Sequence, residues 1–180
     1  MTTCILFFRC VNVGGHNRLP MDDLKAMFDA LGTPGAVTHK QSGNVAVRCT
    51  RQQAGSLGNR IRAQVQEKLG FEPAVLVLKI QELEHAVAAN PFRDMVKDPK
   101  SLHLWFLASE PAQPNLAKLQ ELKSGSERFE LHRRVFYLHT PDGLGQSRLA
   151  GEVENCLGVE ATARNWRTVT KVLEMGWSLS

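Results

Sequence analysis

The sequence contains no apolar run long enough to cross a bilayer. A helical span needs about 20 consecutive apolar residues, and the longest early run, Cys4-Ile5-Leu6-Phe7-Phe8, is stopped by Arg9. That run also lacks the basic flank and small-residue cleavage site of a secretion signal. A cytoplasmic protein without a membrane partner is expected. Cysteine is sparse: Cys4, Cys10, Cys49 and Cys156 are the four, and no two form a Cys-x-x-Cys pair. Without a secretion signal they are expected to stay reduced, acting mostly as small buried hydrophobes. The six histidines show no paired ligand spacing, so neither a metal site nor another cofactor is expected.

Catalytic signatures are missing as well. There is no Gly-x-Ser-x-Gly elbow, no His-Glu-x-x-His helix and no carboxylate pair in a Gly-rich context. Aromatics make up only 7% of the chain. Phe7 and Phe8 imitate the first half of an RNA-stacking platform, but the segment Asn44–Cys49 offers no aromatic for the second half.

What is present describes a packed soluble fold. The chain has 180 residues, 43% hydrophobic and 22% charged, enough for one large domain or two small ones. Its net charge of +4 is uneven. Residues 1–79 hold ten Lys/Arg against five Asp/Glu, whereas residues 80–180 hold twelve against thirteen. An anionic partner is therefore expected to meet the first half.

Hydrophobic periodicity gives the element order. Cys4–Val11 reads as a strand. A helix begins near Pro20, with Asp22 and Asp23 in its first turn. Leu24, Met27, Phe28 and Leu31 make one stripe before Gly32 ends it. Val37–Gln41 and Asn44–Cys49 form a hairpin around Ser42-Gly43, with Arg48 facing away from Val45 and Val47. A helix from about Gln53 to Leu69 and a strand Ala74–Lys79 complete a ferredoxin-like βαββαβ unit.

The second half repeats this order without residue-level identity. Helix Gln81–Ala89 connects the halves. Strand Leu102–Leu107, helix Asn115–Leu122, strands Arg128–His132 and Val135–His139, and helix Ser147–Leu157 follow. A short strand Glu160–Ala163 and a terminal helix Asn165–Met175 close the chain. The expected fold is α+β: a tandem pair of ferredoxin-like units with antiparallel sheets and a C-terminal helix. Residues 1–79 form the first unit, 80–100 the connection, and 101–180 the second unit with the terminal helix.

Four places carry candidate chemistry. Gly14-Gly15-His16-Asn17-Arg18 joins strand one to helix one, where glycines allow inward-turned N–H groups and a helix start favours anions. It matches neither the three-glycine dinucleotide fingerprint nor the Gly-Lys-Ser/Thr of a P-loop. Gln41-Ser42-Gly43-Asn44 forms the hairpin turn and is expected at the opposite sheet edge from that loop, unless the turn sits slightly within strand two. The run Asp142–Arg148 is a second loop entering a helix, with Ser147 as N-cap. Arg164, Arg167 and Lys171, at i, i+3, i+7, are expected on one charged face of the last helix, with Asn165 as its cap.

The same stretches carry a resemblance. Asn12–Met21, Gln41–Val45, Ala89-Asn90-Pro91-Phe92, and Ala163–Val169 with Lys171 resemble the signature segments of a bacterial family, the domain of unknown function numbered 1697. The resemblance implies two ferredoxin-like units and no assigned activity. In that family the position of His16 is often Lys or Arg. The favoured function is binding of a small anion, a nucleotide or phosphorylated metabolite, through Gly14, Gly15, His16, Asn17 and Arg18, supported by Asn44, Arg164 and Arg167. A phosphate- or acyl-phosphate-handling hydrolase using Arg18 and Asn44 is the alternative, by fold analogy. Nucleic-acid binding is less favoured.

Overall fold

The computed structural model describes residues 1–95 and 97–179. They divide into two compact units, Met1–His85 together with the residues from Thr170 on, and Ala86–Val169. The sequence pattern assigns the whole terminal helix to the second unit, whereas the end of that helix groups with the first.

In the first unit, β1 (Thr2–Arg9) is central in a four-stranded sheet with β2 (Val37–His39), β3 (Asn44–Cys49) and β4 (Ala74–Lys79), in the order β2-β3-β1-β4. Every pairing is antiparallel. Helices α1 (Met21–Ala30) and α2 (Arg51–Leu69) bury the predicted stripes, Leu24, Met27 and Phe28 on one and Leu57, Ile61 and Val65 on the other. These meet Cys4, Leu6, Phe8, Val45 and Val47 in one core. Each such side chain contributes roughly 1.5–3 kcal/mol when fully buried.

Helix α2 starts two residues before the predicted Gln53. Thr50 and Gln53 close a reciprocal capping box: the Gln53 N–H donates to Thr50 Oγ1 at 3.1 Å, and the Thr50 N–H donates to Gln53 Oε1 at 2.8 Å. Gly70, left-handed at φ 78°, ends the helix.

Beyond β4 the chain passes directly into α3 (Ile80–Ala88). The part of α6 (Trp166–Ser178) that belongs to the first unit buries Val172, Leu173 and Met175. Its backbone at Gly176 runs so close that an added Cβ would stand 2.7 Å from Ile80 Cδ1 and 3.2 Å from Ile5 Cδ1. Trp177 Nε1 donates to Glu84 Oε1 at 2.7 Å.

The second unit has the same topology: β5 (Leu102–Leu107), α4 (Leu116–Leu122), β6 (Arg128–His132), β7 (Val135–His139), α5 (Arg148–Leu157) and β8 (Ala161–Asn165), ordered β6-β7-β5-β8. Trp105, Leu107, Phe136, Leu138, Leu149 and Val153 form its core. The Tyr137 hydroxyl, buried, donates to Ala86 O at 2.8 Å. The last strand runs to Asn165, two residues past its predicted end, and Asn165 Oδ1 still caps α6 by accepting from Thr168 N at 2.9 Å. Cys4, Cys49 and Cys156 are buried and Cys10 is exposed. Burial pushes the Cys4 thiol up to about 12, with the Cys49 contact adding to it, so this thiol stays protonated and unreactive.

Candidate functional site

The segment between β1 and α1 is a miniature hairpin held open at the surface. Val13 and His16 form an isolated antiparallel bridge, and the His16 N–H donates to Val13 O at 3.0 Å. Gly14 and Gly15, at φ 59° and 78°, occupy its two central positions. Positive φ at both is what a type I′ turn requires, and glycine meets it without strain. Cys10, Asn12 and Asn17 also have positive φ, at 55°, 55° and 51°. Such a dense cluster of left-handed non-glycine residues persists only where neighbours hold it.

Asn12 does most of that holding. Its Oδ1 accepts from the Leu19 N–H at 2.8 Å, and its Nδ2 donates to Leu19 O at 2.8 Å and to Gln41 O at 2.6 Å. The Asn12 N–H donates to Asn17 O at 3.1 Å, and Asn17 Nδ2 to Cys10 O at 3.0 Å. Asn12 is not among the predicted ligand residues. Its signal, an Asn between a strand and a glycine pair, is legible in the sequence but marks a positioning residue. Asn12→Ala removes three side-chain bonds and places Ala in a left-handed backbone. It is expected to cost about 1–2 kcal/mol in chemical denaturation, while Asn12→Asp keeps the Leu19 acceptor and loses less.

The hairpin turn of β2–β3 lies beside this loop, not at the opposite sheet edge as expected. β1 and β3 are antiparallel neighbours with Phe7 opposite Asn44, so the end of β1 meets the start of β3. The Phe8 N–H donates to Gly43 O at 2.8 Å, which together with the Asn12–Gln41 bond ties the two loops.

The predicted residues then separate. Gly14, Gly15, His16, Asn17 and Arg18 are all exposed on the loop. Asn44 is fully buried, its Nδ2 donating to His39 O at 3.0 Å and Ser42 Oγ at 2.9 Å, so it shapes the turn and is closed to a ligand from solvent. Arg164 and Arg167 belong to the second unit. Arg164 is not on the charged face of α6 at all. It sits in β8 opposite Leu104, because the strand outlasts its predicted end, and burial pulls its guanidinium down to about 10. Arg167 is exposed in the first turn of α6. The loop Asp142–Arg148 is also in the second unit, with Ser147 capping α5 through Ala150 N at 3.0 Å.

Two further segments singled out in the sequence, 89–92 and 163–169, converge in the second unit. Asn90, Arg93, Pro99, Val87 and Trp166 line a cavity of about 340 Å³. Asn90 Oδ1 accepts from the Phe92 N–H at 2.9 Å, and its buried Nδ2 has no partner among the described residues. Among the described residues no cluster of His, Cys, Asp or Glu has the makings of a metal site. Among them, too, no helix is long and apolar enough to cross a membrane.

Two βαββαβ units following one another in one chain, each with the strand order 2-3-1-4, define a tandem ferredoxin-like α+β protein. The chain belongs to the family described as "Protein of unknown function (DUF1697)", whose model matches residues 1–137. It is similar in structure to the conserved bacterial protein SP0830 from Streptococcus pneumoniae, with a TM-score of 0.73 and 19% identity over 97% of this chain and 98% of that one. That likeness concerns the fold alone. Among curated proteins none matches.

Proposed function

We propose that the first unit binds a small anionic ligand, of the nucleotide or phosphorylated-metabolite kind, on the β1–α1 loop. The observation that carries this reading is a rigid loop with unused donors. Asn12 and Asn17 hold the backbone, while His16 and Arg18 project exposed, and no ion pair is formed by Arg18 among the described residues. Ordered backbone with a free guanidinium favours binding because little freedom is lost when the ligand arrives. Arg is also the side chain suited to grip a phosphate with two parallel N–H bonds. Asn17 adds stability to the loop through Cys10, so its contribution to a ligand would come from the backbone. Asn44, Arg164 and Arg167 are left out of the contact set.

The acyl-phosphate hydrolase alternative needs the amide of Asn44 beside Arg18, and that amide is engaged inside the turn. Binding without turnover is therefore the favoured form. A thermal-shift series with phosphate, pyrophosphate, AMP and ATP tests it. At least one anion is expected to raise the melting temperature, with affinity about tenfold weaker in Arg18→Ala, the loss of one charge-assisted contact. A flat response to all four anions sinks the proposal.

A further inference from the structure

The basic excess of the first half is not spent on the loop alone. Lys25 pairs with Asp22 at 3.2 Å, Arg62 with Glu72 at 2.7 Å, and Arg60 donates to Leu31 O at 3.0 Å. Arg48, Arg51 and Lys79 have no carboxylate partner among the described residues, and they line one cavity. It lies at the end of the sheet where β1 begins and β3 and β4 end, the other end from the β1–α1 loop. The register brings them to one end of the sheet: Thr3 is opposite Arg48 on one side of β1 and Cys4 is opposite Lys79 on the other, so these two side chains start from opposite faces and come together only in the lining at the sheet's end. Arg51 follows from the immediate passage of β3 into α2.

The cavity measures about 530 Å³, within the range of small-ligand pockets. Its remaining walls are Met1, Thr2, Thr3, Ala54, Ile80 and Gln81, and no acidic residue lines it. Glu82 lies next door in an adjoining cavity, with its carboxylate accepting from the Lys79 N–H at 2.8 Å. The helix starts themselves offer little, because the capping box of α2 and that Glu82 contact already use their outermost donors. What remains is a concave space whose lining includes two arginines and one lysine. The Arg51 cation in the first turn of α2 is opposed by the helix dipole. A multiply charged anion in the cavity relieves that opposition.

We propose that this cavity is a second anion site, for a small pyrophosphate- or polyphosphate-bearing molecule. Three basic residues in the lining suit a ligand with at least two phosphoryl groups, which carries more charge than a single phosphate. The lining holds no aromatic side chain on which a base could stack, so recognition centres on the phosphoryl groups and not on a nucleic-acid strand.

Isothermal titration of the full chain with inorganic pyrophosphate at low salt tests this, alongside NMR of the backbone amides. Wild type is expected to bind, with shifts at Thr3, Ala54 and Gln81. The shifts at Thr3, Ala54 and Gln81 should need about tenfold more pyrophosphate in Arg51→Glu and vanish in Arg48→Ala/Arg51→Ala/Lys79→Ala, all surface changes that leave the core intact. Arg18→Ala should leave these shifts unchanged, which separates this site from the loop. Undiminished pyrophosphate binding in the triple variant, or shifts confined to residues 12–19, would overturn the proposal. So would absence of any binding to wild type at low salt.

Discussion

Gly43→Ala is expected to lower stability by about 3 kcal/mol, the largest effect of any single substitution considered. Two costs add at this position. Its φ of 66° is left-handed, where Ala is strained by roughly 1–2 kcal/mol. An added Cβ would also stand 2.4 Å from Phe8 Cβ, 3.0 Å from Val11 Cγ2 and 3.1 Å from Phe8 Cγ. Phe8 is a core side chain at 1% exposure and cannot swing aside. The turn must therefore lift, which weakens the Phe8–Gly43 backbone bond and, through Gln41, the anchor of Asn12. Urea unfolding measures the stability loss. Hydrogen exchange at His16 and Leu19 should accelerate in step, and a variant that loses stability without loosening the loop would show that the two loops are not coupled.

The second large effect is acid destabilisation of the second unit through His103. Burial lowers its imidazole from 6.5 to about 4, and its Nδ1 is buried without a partner among the described residues. The folded unit therefore binds this proton less readily than the unfolded chain. Stability from the neutral form is full above pH 6.5, falls as pH drops through 6.5, and levels off below about 4. The total is at most about 3.5 kcal/mol, since the drop from 6.5 to about 4 is two and a half tenfold steps in proton affinity of about 1.4 kcal/mol each. His139 is shifted down too, by burial and then by Arg128, so it acts in the same sense. Trp105, with its ring centroid 6.1 Å from that of His103, reports the transition by fluorescence. In His103→Phe the slope between pH 6.5 and 4 should shrink to what His139 supplies. An unchanged slope would mean His103 is not the group responsible.

The fold is legible in the amino-acid pattern because both units obey local rules. Binary patterns locate each strand and α-helix among the described residues, and Gly32, Gly70 and Gly158 stand at left-handed helix ends. Boundaries slip where a local competitor intervenes. Thr50-Arg51-Gln52-Gln53 spells a capping box that sets the start of α2. β1 stops at Arg9 because Cys10 turns left-handed, a change that an apolar pattern does not encode. Helical spacing groups Arg164 with Arg167, yet a strand occupies the first of these positions, so the helical period does not extend across that boundary. The candidate loop is visible as a motif. Its link to Gln41 is not, because that bond spans residues 29 apart and depends on sheet register. The cavity of Arg48, Arg51 and Lys79 is hidden for the same reason, since only the antiparallel pairing of β1 brings these three together.

The grouping of the residues from Thr170 on with Met1–His85 has a consequence for synthesis on the ribosome. The first unit is interrupted in sequence by all of the second. The packing of Gly176 against Ile5 and Ile80 cannot form until α6 has emerged from the exit tunnel. The later-coded unit has every strand it needs earlier than that, so it can finish first. A nascent chain held before Thr170 carries bare apolar surface in its oldest part, the kind of intermediate that chaperones recognise and that aggregates when it lingers.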